Sequence, residues 1–95
     1  MPVYVFANVK ITDPAGFAEY QKLVPATIAE FGGRYLVRGG TTQVLEGEWT
    51  PHRVIILEFP DVATIQAWYQ SPAYQQLLQL RQRTASTDFV IIEGV

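Results

Sequence analysis

Arg38, Arg53 and Arg81 are the side chains in this sequence best suited to hold an anion, because a guanidinium offers a planar fork of donors that matches a carboxylate. Gly39 and Gly40 follow Arg38 directly, and glycine lets another group approach the backbone closely. Arg38 therefore reads either as an anion clamp or as the arginine of a bulge paired with Glu46 or Glu58. His52 is the one histidine, hence the one side chain whose ordinary pKa allows proton exchange near neutrality. It is the candidate catalytic base, set against the plainer reading of a solvated histidine beside a loop, because no orienting triad surrounds it. Arg53 adjoins it, so in a strand the two side chains point to opposite faces. If Arg53 shares the helix-facing side with Ile55, Leu57 and Phe59, its charge needs a partner, either Glu46 or a bound anion. Trp68, Tyr69 and Tyr74 gather around Ser71-Pro72, with Arg81 two turns beyond Tyr74 on the same side. They read as the walls of a pocket for a small planar or carboxylated molecule, or as a packing cluster. Trp49, on a loop, reads as a lid over that pocket or an anchor across a dimer.

The elements that must carry these groups follow from periodicity and punctuation. Val3 to Ile11 alternates as a strand with both faces partly apolar. Asp13-Pro14 starts a helix whose stripe is Phe17, Tyr20, Val24, Ile28 and Phe31, and Gly32-Gly33 ends it. Pro25 lies inside that stripe, where it removes a hydrogen bond and predicts a kink or a break. Arg34–Arg38 reads as a second strand, interrupted at Gly39-Gly40, which suggest a bulge, a bend or a close approach, and resuming at Thr42–Glu46. His52–Phe59 makes a third strand antiparallel to it. Pro60-Asp61 caps a helical region with Val62, Ile65, Trp68 and Tyr69, and Ser71-Pro72 starts a further helical piece with Tyr74, Leu77, Leu78 and Arg81. Thr87–Glu93 closes the chain as a fourth strand.

That order, β-α-β-β-α-β, predicts one ferredoxin-like α+β domain over residues 1–95, with two helices on one face of a four-stranded antiparallel sheet. Strands one, three and four are apolar on both faces, yet the helices cover only one. The simplest cover for the other is a second copy packed sheet on sheet, so a homodimer is expected. The 95 residues contain no cysteine, which excludes disulfides, thiolate zinc sites and cysteine nucleophiles, and no metal is expected. A net charge of −2 with the basic residues scattered argues against nucleic acid as a partner. No apolar run approaches the roughly 18 residues of a membrane span and no leader is visible, so the expected location is the cytoplasm, away from membranes.

The string Gly32-Gly33-Arg34-Tyr35-Leu36-Val37-Arg38-Gly39-Gly40, with Leu45-Glu46-Gly47, Trp49, Pro51-His52-Arg53, Glu58-Phe59-Pro60, Ala67-Trp68-Tyr69, Ser71-Pro72, Tyr74 and Arg81, resembles the domain-of-unknown-function 1330 family. The resemblance runs over nearly the whole chain. It implies a dimeric α+β barrel of ferredoxin-like protomers but no reaction. Relatives by fold include cofactor-free monooxygenases, small-molecule isomerases and haem-binding enzymes. Haem would require His52 as axial ligand, and its place beside a loop argues against that. The expectation is thus a homodimer that needs no cofactor and binds a small organic anion or aromatic metabolite between helices and sheet. Arg38, Arg53, Trp68, Tyr69, Tyr74 and Arg81 would form the site and His52 would be the candidate base. The alternative is a structural or assembly module in which the same residues hold the fold and the dimer.

Overall fold

The computed structural model describes residues 2–95. Its elements are β1 (Val3–Ile11), α1 (Pro14–Glu30), β2 (Arg34–Arg38), β3 (Arg53–Phe59), α2 (Val62–Gln70), α3 (Pro72–Thr84) and β4 (Ala85–Glu93). The strands form one antiparallel sheet in the order β2-β3-β1-β4, which with the helices on one side is the ferredoxin-like α+β architecture. The second helical layer is two pieces, α2 and α3. Between them Ser71 Oγ donates to the Trp68 carbonyl (2.7 Å) and accepts from the Tyr74 N–H (3.2 Å), and Pro72 opens α3.

The other helix ends form where the sequence places them. Asp13 accepts from the Gly16 N–H and Asp61 from the Thr64 N–H and hydroxyl, so both are side-chain N-caps. Those Thr64 hydrogen bonds hold the exposed Asp61 carboxyl below the usual range. At the end of α1, Gly32 has φ +76° and donates to Ala29, while Gly33 donates to Ile28. These two bonds make a Schellman stop, which needs a residue able to adopt the left-handed conformation.

Pro25 lies inside α1 without breaking it, so of the kink or break that the sequence predicts, the break does not occur. Buried residues flank it on both sides, with Tyr20 and Val24 before it and Thr27 and Ile28 after it. Their packing on the sheet outweighs the roughly 3 kcal/mol that an internal proline costs. Thr27 Oγ1 also donates to the Val24 carbonyl at 2.8 Å across the proline.

A second correction concerns residues 39–52. Thr42–Glu46 is an exposed loop and not a strand, and the ladder between β2 and β3 ends with Gly39 donating to Val54 at 2.8 Å. Gly39 then turns away at φ +71°, and Pro51 has no N–H with which a longer hairpin could pair. The bulge suggested for the glycines sits earlier, where Leu36 and Val37 together oppose Ile56. Its effect is functional geometry: Tyr35 and Arg38, three apart, end up on the same face of the sheet, whereas a regular strand would oppose them.

The helix-facing side of the sheet carries Val3, Val5, Ala7 and Val9 from β1, with Leu57 and Phe59 from β3. The far side carries Tyr4 and Phe6, Val54 and Ile56, and Val90 and Ile92. Part of that far side is covered from within the chain, which the sequence did not suggest. The Trp49 ring lies 6.4 Å from the Phe6 ring, and the His52 N–H donates to the Asn8 side chain at 2.8 Å. Asn8 and Val54 are buried beneath this loop, while Leu36, Val90 and Ile92 remain close to half exposed. Among the described residues no helix is long and apolar enough to cross a membrane.

Candidate functional site

Between the helices and the sheet lies a cavity of about 40 Å³, open at one side. That is room for about two or three waters, so an organic guest must spread the mouth on entering. Its floor includes Ala7 and Ile55, its walls come from Phe17, Val24 and Trp68, and its polar lining is Arg38, Arg53, Arg81, Tyr20, Gln21 and Tyr35. Three guanidiniums line one cavity, and no carboxylate does.

Each arginine is positioned by something other than an acid. Arg38, exposed at the mouth, has its guanidinium 4.7 Å from the centre of the Tyr35 ring. Arg53 faces the helices opposite Val9 and passes so close to Gly39 that a side chain there would overlap its guanidinium. Arg81 stands over the Phe89 ring at 4.8 Å and is only 5% exposed. Glu58, offered by the sequence as a partner for Arg38, instead takes Arg34 at 2.7 Å, and this is the one side-chain ion pair among the described residues. Glu46 is exposed on the loop. Among the described residues, Arg81 Nε and Thr87 Oγ1 are buried polar atoms without a hydrogen-bond partner, an unusual condition that costs free energy unless something else satisfies them.

The tyrosines are donors in this setting. Tyr20 and Tyr74 share a buried hydrogen bond between hydroxyls at 2.8 Å. Burial, and then the neighbouring Tyr74, push the Tyr20 phenol far up. Burial also raises Tyr74, with Arg81 pulling the other way, and raises Tyr35 against the pull of Arg38 and Arg53. All three therefore stay protonated at neutral pH.

Of the residues singled out by sequence, Arg38, Arg53, Arg81 and Trp68 line the cavity together. Tyr74, fully buried, stands behind it with its ring 4.3 Å from that of Trp68. Tyr69 borders a separate open groove along β4 with Ile65, Gln66, Val90 and Ile91. His52 is exposed and lies outside the cavity lining. Trp49 is on the far side of the sheet against Phe6, so it is no lid over this cavity. Sequence reasoning missed Tyr20, Gln21 and Tyr35. Tyr20 and Tyr35 looked like core and strand positions, and the signal available was that a buried phenol requires a polar partner.

Gly39→Ala is expected to lower stability by about 1–3 kcal/mol, since it forces a side chain into a left-handed position, and to expel the Arg53 guanidinium from the cavity. Thermal denaturation reads the first effect. An unchanged melting temperature would mean that Arg53 takes a different path.

No match is found among the curated proteins. Among solved structures, a protein of unknown function from Rhodopseudomonas palustris is similar with a TM-score of 0.82 at 18% identity, over 99% of this chain and 82% of that one. A dimeric ferredoxin-like protein of unknown function from Jannaschia sp. CCS1 has a TM-score of 0.74 at 14% identity, over 99% of this chain and 100% of that one. SnoaB, a cofactor-independent oxygenase from Streptomyces nogalater, has a TM-score of 0.65 at 11% identity, over 99% of this chain and 93% of that one. At these identities the likeness is one of fold. Residues 2–95 match a family as a whole, and the chain belongs to the one described as Domain of unknown function (DUF1330).

Proposed function

We propose that this protein is a homodimer that binds a small organic anion in the cavity between helices and sheet, with Arg38, Arg53 and Arg81 supplying charge and Trp68 an apolar wall. The observation that carries this reading is the convergence of three guanidiniums on a cavity without a carboxylate, one of them buried with an unpartnered Nε. A cation left without a counter-ion in an apolar surrounding is costly, and a bound anion removes that cost. Tyr69 and Tyr74 support the site from outside its lining, Tyr74 by holding Tyr20 and Trp68 in place.

Binding is the function this geometry favours over proton abstraction. The phenols stay protonated, His52 is outside, and no carboxylate or imidazole is among the lining residues. Cofactor-free chemistry of the kind named for the Streptomyces neighbour would have to rely on the arginines stabilising charge that develops on the substrate. Dimerisation is supported by the half-exposed Leu36, Val90 and Ile92 on the far side of the sheet, with Trp49 at its margin, and by the dimeric Jannaschia neighbour.

The test is a thermal-shift screen against small carboxylates, phenols, quinones and lactones. A ligand at about a hundred times its dissociation constant adds roughly 2.7 kcal/mol, a shift of several degrees in a domain of this size. Hits should cluster among carboxylates and vanish in Arg53→Met, while light scattering still gives twice the protomer mass. A flat panel would return the arginines to folding and assembly. A stable monomer at micromolar concentration would remove the dimer.

A further inference from the structure

We infer that the ligand is a short dianion held at both ends, a dicarboxylate or a carboxylate with a second anionic oxygen at its far end. The inference rests on the anion-binding reading above and adds the ligand's charge and length.

The three guanidiniums do not form one cluster. Arg38 ends β2, and the Arg53 guanidinium lies against Gly39, at that same end. Arg38 also stands over the Tyr35 ring of the same strand, so both cations belong to the β2 end of the cavity. Arg81 approaches from α3 and lies over Phe89 of β4. β2 and β4 are opposite edges of the sheet, three strand spacings apart, or about 14 Å at the backbone. Arg38, Ile55, Ala7 and Phe89 stand in one row across the sheet, with Arg81 over the last of them, so Arg38 and Arg81 meet the cavity from the two ends of that row.

Each end lacks what an anionic oxygen would supply. At the mouth, two like charges stand side by side with no acid between them, and a carboxylate relieves their repulsion. At the closed end, Arg81 has donors only, and its Nε–H has no acceptor. Tyr20 and Tyr74 together carry two hydroxyl protons, of which their shared bond uses one. Either hydroxyl can donate that bond, and Tyr20 lines the cavity together with Arg81. Between the two ends the lining is apolar, with Ala7 and Ile55 below and Val24 and Trp68 around, as a short carbon spacer requires. A monoanion satisfies one end and leaves the other unmet.

Isothermal titration of the wild-type protein with succinate and glutarate, beside butyrate and pentanoate of matching chain length and inorganic phosphate, tests this. A dicarboxylate is expected to bind about tenfold or more tightly than its matched monocarboxylate, as an added charge-assisted contact implies. Arg38→Met and Arg81→Met should each reduce the dicarboxylate to the monocarboxylate's affinity. If Arg81→Met does not fold, Arg38→Met, at an exposed position, carries the same comparison. Equal affinity for mono- and dicarboxylates, still lost in Arg53→Met, overturns the two-ended grip and leaves the anion site standing. Phosphate binding as tightly as the dicarboxylates overturns it too, because phosphate has the charge without the length. No binding by any of these anions removes both readings.

Discussion

Trp68→Ala should lower the melting temperature by more than about 10 °C and cost about 3–5 kcal/mol, the range for removing a fully buried large aromatic. A chain of 95 residues has roughly 5–14 kcal/mol of stability in total, so this one change consumes a large share of it. Trp68 is 0% exposed and stands at the junction of every layer. Its ring lies 4.3 Å from Tyr74, 5.4 Å from Phe59 and 6.3 Å from Phe89, while its indole N–H donates to Thr27 Oγ1 at 3.1 Å. That hydrogen bond ties α2 to α1, just past Pro25. Trp68→Phe separates the two contributions. It keeps most of the ring contacts and loses the bond, so the expected cost falls to about 1–2 kcal/mol. Circular dichroism melts of both variants decide the matter: a Trp68→Ala shift under about 4 °C would mean that the surrounding aromatics close over the space.

The same residues show why some of the molecule could be read from sequence and some could not. Asp13-Pro14, Asp61, Ser71-Pro72 and Gly32 act within three or four residues of themselves, so their helix ends are local facts. Pro25 is the contrary case. Its local preference is clear, but Tyr20, Val24 and Ile28 are held by the sheet, and packing outweighs preference. Thr42–Glu46 has strand-like composition, yet a strand exists only where a partner offers hydrogen bonds, and β3 begins at Arg53. The bulge at Leu36-Val37 carries no local mark, and without it Arg38 would point away from the cavity. The site divides along the same line. Arginines stand out by chemistry, so Arg38, Arg53 and Arg81 could be singled out before their convergence was visible. Tyr20 and Tyr35 look apolar in a stripe and a strand, and their polar role emerges only from what lies opposite them.

Arg81→Met is expected to do two opposite things: raise the stability of the unliganded protein by about 1–3 kcal/mol and cut its thermal response to a dicarboxylate down to that of the matched monocarboxylate. The side chain is buried, its Nε has no partner, and what stands beside it is uncharged: the Tyr74 phenol and the face of Phe89 at 4.8 Å. Such a face returns about 1–2 kcal/mol to a guanidinium, less than desolvating the charge costs. Methionine follows much of the same path with an unbranched apolar chain, keeps contact with the ring and needs no donor or acceptor there. Replacing a buried charge by an apolar group of similar volume is therefore favourable wherever the charge has no structural partner. Melting curves with and without a saturating carboxylate give both halves of the result. If Arg81→Met melts lower than wild type, Arg81 is holding α3 onto the sheet and its place in the cavity is incidental. If it melts higher but its response to the dicarboxylate is undiminished, the anion sits at the mouth on Arg38 and Arg53 alone. A variant that is more stable and has lost the dicarboxylate's advantage identifies Arg81 as a residue kept at a cost to the fold, as binding sites commonly require. That cost would be met when an anion enters, because the same donors that destabilise the empty cavity are the ones that hold its guest.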